Sequence, residues 1–313
     1  MRVFVAGGTG AIGRPLVHAL VGAGHDVTVF SRSEQRVRDL NLDGITAAVG
    51  DALDADTLVG AVTRAQPEVV INQLTNLPQS TSPKALKSGY TATSRLRAEA
   101  SVTLARAAAQ AGARRLIAQS IAFVYRPGPG VRTEDDPLWT DAGGLIGKLA
   151  GPVAALEAAT LGHPALESVV LRYGAFYGAG TYYDHGGAFA SMVARRMLPI
   201  PRGAQGLFGF VDLGDAVAAT VSALDGATGT FNLVDDVPAP TAEWVPYLAS
   251  LLGAGAPFRV PNAMMGAAGQ FSAYLMCRQP AVSNARARAE LGWTPRFPDW
   301  HEGLRVALGP PER

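Results

Sequence analysis

Short runs of β-branched and aliphatic residues alternate, along the first half of the chain, with longer stretches whose apolar positions carry a helical period. Val3 to Ala6, Val27 to Phe30, Ile45 to Val49, Val69 to Asn72 and Leu116 to Ala118 have the continuous apolar character of strands buried on both faces. Ile12 to Val21, Ala55 to Arg64 and Ser94 to Gln110 read as helices, and Gly112 stands where the last of these needs a C-cap. Strand–helix alternation with short links predicts an α/β fold: a Rossmann-type doubly wound parallel sheet with right-handed crossovers.

After about Asp141 the pattern loosens. A helix over Val153 to Thr160 precedes a strand at Ser168 to Leu171 and a Gly- and aromatic-rich loop from Tyr173 to Gly187. Phe208 to Val211 and Phe231 to Val234 read as strands, and Asp215 to Leu224 and Ala242 to Leu252 as helices. The expected division is a dinucleotide-binding part over 1–172 and a smaller, mainly substrate-binding part over 173–313, with about 206–235 returning to the first core. Residues 262–276, with Met264, Met265, Met276, Gly266 and Gly269, suggest an adaptable helical flap, and 309–313 a frayed end. Phe189, Phe208, Phe210, Phe271 and Tyr274 are expected mostly in the core of the second half.

Composition narrows the function classes. A formal net charge of +1 and no basic run argue against nucleic acid and anionic membranes as partners. The single cysteine, Cys277, cannot form a disulfide within the chain, and no Cys/His cluster has metal-site spacing. The start, Met1 to Ala6, is broken by glycine too soon for a signal peptide. No apolar stretch reaches membrane-spanning length without a charge, Gly or Pro. A cytoplasmic protein acting on a small molecule is the expectation. Only three lysines, Lys84, Lys87 and Lys148, are available for chemistry.

Gly7-Gly8-Thr9-Gly10-Ala11-Ile12-Gly13 follows one predicted strand and opens the next helix. In that context the glycines make a tight turn, let backbone approach a pyrophosphate, and let helix and strand pack closely. The helix N-terminus then turns unpaired N–H groups toward the phosphates. The second strand ends in Ser31-Arg32-Ser33, where an NAD-preferring fold places an acid to hold the ribose 2′-hydroxyl. Arg32, with Ser31 or Arg36, suits a 2′-phosphate instead, which favours NADP(H) over NAD(H). The competing reading leaves Arg32 as a solvated loop residue.

These residues resemble the extended short-chain dehydrogenase/reductase family, also called the NAD-dependent epimerase/dehydratase family. Gly50-Asp51, Val70 to Thr75, Leu171 to Gly178, Phe210 to Asp215, Ser283-Asn284 and Glu290 to Trp293 are similar to further segments of that family. The resemblance implies a cofactor site formed by Gly7, Thr9, Gly10, Ala11, Ile12, Gly13, Ser31, Arg32, Asp51, Ala52, Leu74, Thr75, Tyr173 and Ala175. Relatives pair long helices in a dimer. Arg95 to Gln110 and Gly151 to Leu161 are the equivalent candidates for a homodimer here.

The family's proton relay is a Tyr four residues before a Lys, with a Ser or Thr at the end of the fifth strand. None of the three lysines here has a Tyr four residues before it. Aligning Glu157 with the family's glutamate puts Leu149 and Val153 at the Tyr and Lys positions, and Ile121 at the Ser position. The chain therefore looks like an atypical member. Replacement candidates are Ser120, Tyr125, Lys148 and Tyr177, with Tyr182, Tyr183, Asp184 and His185 on the same loop as Tyr177. Each has a plainer reading as turn, support, solvated or pocket-lining residue. Glu134-Asp135-Asp136 reads as a surface turn.

Three functions are compatible with this pattern. The first is an NADP(H)-dependent oxidoreductase of a small, fairly apolar carbonyl or hydroxyl compound, of the kind met in secondary metabolism, with a non-standard proton donor. The second is a cofactor-retaining isomerase, epimerase, dehydratase or cyclase. The third is a non-catalytic NADP(H) sensor.

Overall fold

The computed structural model of the chain describes residues 1–78, 82–262, 264 and 270–309. Seven parallel strands form one sheet: β1 (Arg2–Ala6), β2 (Asp26–Ser31), β3 (Ile45–Val49), β4 (Val69–Asn72), β5 (Arg115–Ile121), β6 (Glu167–Tyr173) and β7 (Gly229–Leu233). Their spatial order is β7-β6-β5-β4-β1-β2-β3, so the chain reverses direction of growth between β1 and β4. The doubly wound sheet read from the sequence is the fold observed.

The helices are α1 (Gly13–Gly22), α2 (Glu34–Arg38), α3 (Ala55–Ala65), α4 (Pro83–Arg95), α5 (Ser101–Gln110) and α6 (Gly144–Leu161) in the first part. In the second part they are α7 (Ala188–Ala194), α8 (Leu213–Ser222), α9 (Thr241–Leu251), α10 (Gln270–Cys277), α11 (Ala285–Glu290) and α12 (Trp300–Leu308). Strand alternation sorts them into layers. Val3, Val5, Val27 and Val29 meet Leu16, Val17 and Leu20 of α1 and Ala216 and Val217 of α8 on one face. Phe4, Phe30 and Val70 meet Leu58 and Val62 of α3 and Leu104 of α5 on the other. Central β5 is buried at all seven positions, whereas edge strand β3 has no fully buried residue. A further core in the C-terminal portion gathers Phe208, Phe210, Trp244 and Trp300.

Several element boundaries differ from the sequence expectation. The predicted helix at Ser94 begins at Pro83, and a π-helical turn, Leu96–Ala100, joins α4 to α5. The predicted helix at Val153 begins at Gly144 and carries Pro152 inside it, an interruption that hid its first half from the pattern. Phe208 to Val211 is two strands rather than one. Leu207–Phe208 pairs antiparallel with Ala239–Pro240, and Phe210–Asp212 pairs parallel with Ala175–Tyr177. Gly209 divides them where a Cβ on Gly174 would collide with its carbonyl oxygen. Of the expected flap, Gln270–Cys277 is helical and Met264 is exposed, while Met265, Gly266 and Gly269 lie outside the described residues. Residues 310–313 also lie outside them.

Candidate active site

The loop after β1 is a backbone cradle at the carboxyl edge of the sheet, where open α/β folds bind ligands. Gly7 has φ +88°, and a Cβ there would lie 2.6 Å from the Gln73 carbonyl oxygen. A Cβ on Gly13 would collide with the Gly7 carbonyl oxygen. Gly10 donates its N–H to that same oxygen at 3.1 Å, and a Cβ on Gly10 would stand 3.4 Å from it. Gly10 and Ala11 are exposed, while Ile12 is buried in the core and anchors the loop. No side chain caps α1; the Arg14 and Leu16 N–H groups bond the Gly10 and Ile12 carbonyls and Pro15 has none, so the Ala11, Ile12 and Gly13 N–H groups are the ones left for an anion. A dinucleotide's pyrophosphate fits this cradle.

The adenosine end is also organised. Ser31 Oγ lies 3.2 Å from Thr9 Oγ1 and accepts the Ser33 N–H at 3.3 Å. Arg32 is exposed, and its Nη2 donates to Asn76 Oδ1 at 3.1 Å, which fixes the guanidinium over the crevice mouth. Asp51 accepts the Leu53 N–H through one carboxylate oxygen. Ala52 packs its side chain into the core with Phe4, Phe30 and Leu58. Leu74 and Thr75 are half-buried beside Asn72, whose Oδ1 accepts the Leu74 N–H.

One position assigned to the cofactor points elsewhere. Tyr173 is 1 % exposed, and its hydroxyl lies 2.6 Å from Thr220 Oγ1 on α8, so its side chain braces a helix instead of meeting the cofactor. Burial pushes that phenol up to about 12. Ala175, two residues on, is half-buried and donates its N–H to Gly209.

The four proton-donor candidates do not converge. Ser120 Oγ donates to Glu157 Oε1 at 2.6 Å. Glu157 in turn receives Arg172 bidentately, Nε to Oε1 at 2.8 Å and Nη2 to Oε2 at 2.7 Å. Arg172 Nη1 also donates to the Tyr125 hydroxyl at 2.6 Å, which donates to Asn232 Oδ1 at 2.7 Å. This closed chain rivets α6 to β5, β6 and β7, and it corrects the catalytic reading of Ser120 and Tyr125. Both hydroxyls are consumed within it, and burial pushes the Tyr125 phenol up to about 12 against the opposing pull of Arg172. Glu134, expected on a surface turn, is also buried here and accepts the Asn232 N–H.

Tyr177 is fully buried in the C-terminal core, edge-on to Phe210 and against Gly303 of α12. Desolvation first, then nearby Asp235, raises its phenol far above its ordinary value. That burial removes it from proton transfer. Lys148 is exposed on α6. Tyr183 is packed among Phe189, Phe210 and Trp244, and Tyr182 donates to the Pro78 carbonyl. Asp184 accepts backbone N–H groups, and His185 Nε2 lies 3.0 Å from the Leu308 carbonyl, so no acid–base pair forms on that loop.

What stands beside the crevice is apolar. Ile121 at the end of β5 and Val153 on α6 share a buried cluster with Val124 and Ala150, and Leu149 is buried on the same helix. Just beyond, a cavity of about 310 Å³ is lined by Trp139, Ile146, Ala273, Tyr274 and Arg278, among others. The Trp139 N–H donates to the Val124 carbonyl and the Tyr274 hydroxyl to the Tyr125 carbonyl, so the cavity abuts the end of β5. Arg278 lies 5.7 Å from the Trp139 ring centre and has no carboxylate within ion-pair reach among the described residues. The sequence reading missed Arg278 because only the fold brings α10 against the loop after β5.

Comparisons with known proteins agree with this geometry. The family described as the NAD dependent epimerase/dehydratase family matches residues 3–233. A 3-diazoavenalumate denitrifying reductase from Streptomyces sp. is 42 % identical over 311 residues, covering 97 % of this chain and 99 % of that protein. The epimerase family protein SDR39U1 of Bos taurus is 29 % identical over 98 % of this chain and its whole length. Among solved structures, human SDR39U1 (isoform 2) with NADPH superposes with a TM-score of 0.74 at 25 % identity, covering 98 % of this chain and 99 % of that one. A Thermus thermophilus UDP-glucose 4-epimerase with NAD gives 0.76 at 22 % identity, covering 98 % of both chains.

Proposed function

The chain is an enzyme of the NAD dependent epimerase/dehydratase family, and on that premise we propose that it is an NADPH-dependent reductase whose hydride acceptor is a diazo-substituted aromatic acid. The observation that carries this reading is the full-length 42 % identity to a streptomycete enzyme named for denitrifying reduction of a diazo compound. The bound nicotinamide would supply hydride. The chain's own residues account for the rest.

Reduction of a carbonyl leaves an alkoxide that needs a proton, which is why the family keeps a Tyr/Lys relay. Reduction of an aryl diazonium does not. Hydride bonds to the ring carbon, the C–N electron pair departs with dinitrogen, and arene plus N₂ form with charge balanced and no proton consumed. Dinitrogen is not basic, so an enzyme acid has nothing to protonate. Leu149, Val153 and Ile121, at the positions of the missing relay, then serve as a dry wall that keeps water from a reactive electrophile. The cavity beside them suits an aromatic anion, with Trp139 and Tyr274 as flat walls and Arg278 as a cation. The carbonyl or hydroxyl substrate expected from resemblance alone gives way to this class.

NADP(H) rather than NAD(H) is the proposed cofactor, supported by the absence of an acid at Ser31-Arg32-Ser33, where β2 ends, and by Arg32 held at the crevice mouth. The test is incubation with NADPH and a diazo-substituted hydroxycinnamate. NADPH oxidised, N₂ released and arene formed should agree one to one. NADPH deuterated at the transferring position should place deuterium on the ring carbon, and deuterated water should not. Tight NADPH binding with no oxidation by any diazo-arene would sink the proposal.

A further inference from the structure

Three arginines among the described residues are buried: Arg97, Arg115 and Arg172, at 5, 2 and 6 % exposure. Two of them are saturated with partners. Arg115 donates to Glu167 and to the carbonyls of Ala223, Gly226 and Ala227. Arg172 donates to Glu157, Tyr125 and the Glu134 carbonyl. Arg97 has no ion pair and no side-chain hydrogen bond to any described residue. Burial pulls its guanidinium down to about 10, opposed only by the more distant charge of Glu157, which Arg172 and Ser120 already occupy. A buried, unpaired cation is destabilising and persists when something other than folding requires it.

Its position says what that is. Arg97 lies on the π-helical turn Leu96–Ala100, a local widening common at functional sites. The turn packs against α6. Ser101, at its end, holds Asn72 at the carboxyl end of β4, Nδ2 to Oγ at 2.9 Å. Asn72 is level with Ala6, which leads into the phosphate loop, and with Ala118 on β5. Arg97, one turn before Ser101, therefore lies by the carboxyl edge of the sheet, on the flank that α6 closes with Leu149 and Val153. On the preceding turns of the same helical face stand Thr93 and Tyr90, and Tyr90 meets Phe271 of α10 edge-on at 6.4 Å. With Glu157 spent on Arg172, the crevice base is left one positive charge in excess.

We propose that Arg97 is a substrate-binding residue that receives an anionic oxygen of the aromatic ligand, a carboxylate or a phenolate, at the base of the crevice. The inference rests on the reductase reading only for the aromatic character of that ligand. Occupation by the anion would supply the counter-charge that the fold withholds, and the guanidinium fork would orient the ring for hydride transfer.

The enzyme saturated with NADP⁺ is titrated calorimetrically with two pairs of probes: 4-nitrophenolate against 4-nitroanisole, and cinnamate against cinnamamide. The wild type should bind at least one anion about tenfold or more tighter than its neutral partner. The pair that discriminates identifies phenolate or carboxylate. Arg97→Met should cut the preference by about tenfold, to whatever Arg278 alone supplies, keep NADP⁺ affinity, and melt at the same or a higher temperature, because it removes an uncompensated charge. A structural arginine would instead lower the melting point. Arg97→Lys should keep only part of the preference, and it decides the matter if the Met variant does not fold. No anion preference in the wild type, or an undiminished one in either variant, would overturn the proposal. Failure of denitrification with Arg97-dependent anion binding intact would remove the reaction and leave this site standing.

Discussion

Arg32 holds its guanidinium on Asn76 at the mouth of the crevice, with no carboxylate on the neighbouring Ser31 or Ser33. A 2′-phosphate there would gain a charge-assisted hydrogen bond, whereas a 2′-hydroxyl gains little. Arg32→Ala should raise KM for NADPH by about tenfold and leave KM for NADH nearly unchanged. Steady-state kinetics with both cofactors would check it, and an equal effect on both would refute the 2′-phosphate role. Arg97 poses the opposite case at the same scale. Its charge lies on the buried side of the helix with Leu96 and Ala100, and nothing in the sequence separates it from Arg95, which is exposed two residues earlier. What the sequence could not supply is that no described residue pairs with it, because partners of a buried charge come from distant segments.

At the scale of elements, α6 decides what the candidate residues can do. Its inner face presents Ile146, Leu149, Ala150, Val153 and Glu157, and the only charge among them is bound by Arg172 from β6. Ser120→Ala removes one hydrogen bond and leaves the ion pair, so it should cost about 1 kcal/mol of stability and leave kcat within about twofold. Glu157→Gln strands a buried guanidinium and should cost about 3 kcal/mol or more. Denaturant melts together with turnover measure both, and a large loss of kcat in Ser120→Ala at unchanged stability would restore it as a catalytic group. The helix was half visible in the sequence: its apolar second half was clear, while Gly147, Gly151 and Pro152 obscured the first. Ser120, Tyr125 and Glu157 were each read singly. The hydrogen bonds that join them through Arg172 and on to Asn232 cross separations of 15 to 107 residues, which no local pattern encodes.

Across the whole molecule, the sheet and the C-terminal core meet where β7 ends. Asp235 follows β7 there, donates its N–H to the Phe210 carbonyl, and is 3 % exposed with neither carboxylate oxygen hydrogen-bonded in standard geometry. Desolvation, reinforced by Asp215 and Asp212, raises its carboxyl to about 9 from 3.8. The folded state thus holds a proton that the unfolded chain releases, and stability contributed by this group falls as pH rises from about 4 toward 9. Asp235→Asn keeps the neutral shape and abolishes that slope. It should melt several degrees above the wild type at neutral pH, with the gap shrinking as pH falls toward 4. Thermal melts across that range test it, and a pH-independent difference would dismiss the buried-acid explanation.

The chain's own order of residues determined the parallel sheet and the phosphate cradle, because strand burial, helix period and glycine turns are short-range consequences of side-chain shape and backbone freedom. Tertiary structure alone decided which polar groups are spent on one another and which are left over. Ser120, Tyr125 and Tyr177 are sealed, while among the described residues no carboxylate pairs with Arg97 or Arg278, because burial and pairing depend on segments that meet only after folding.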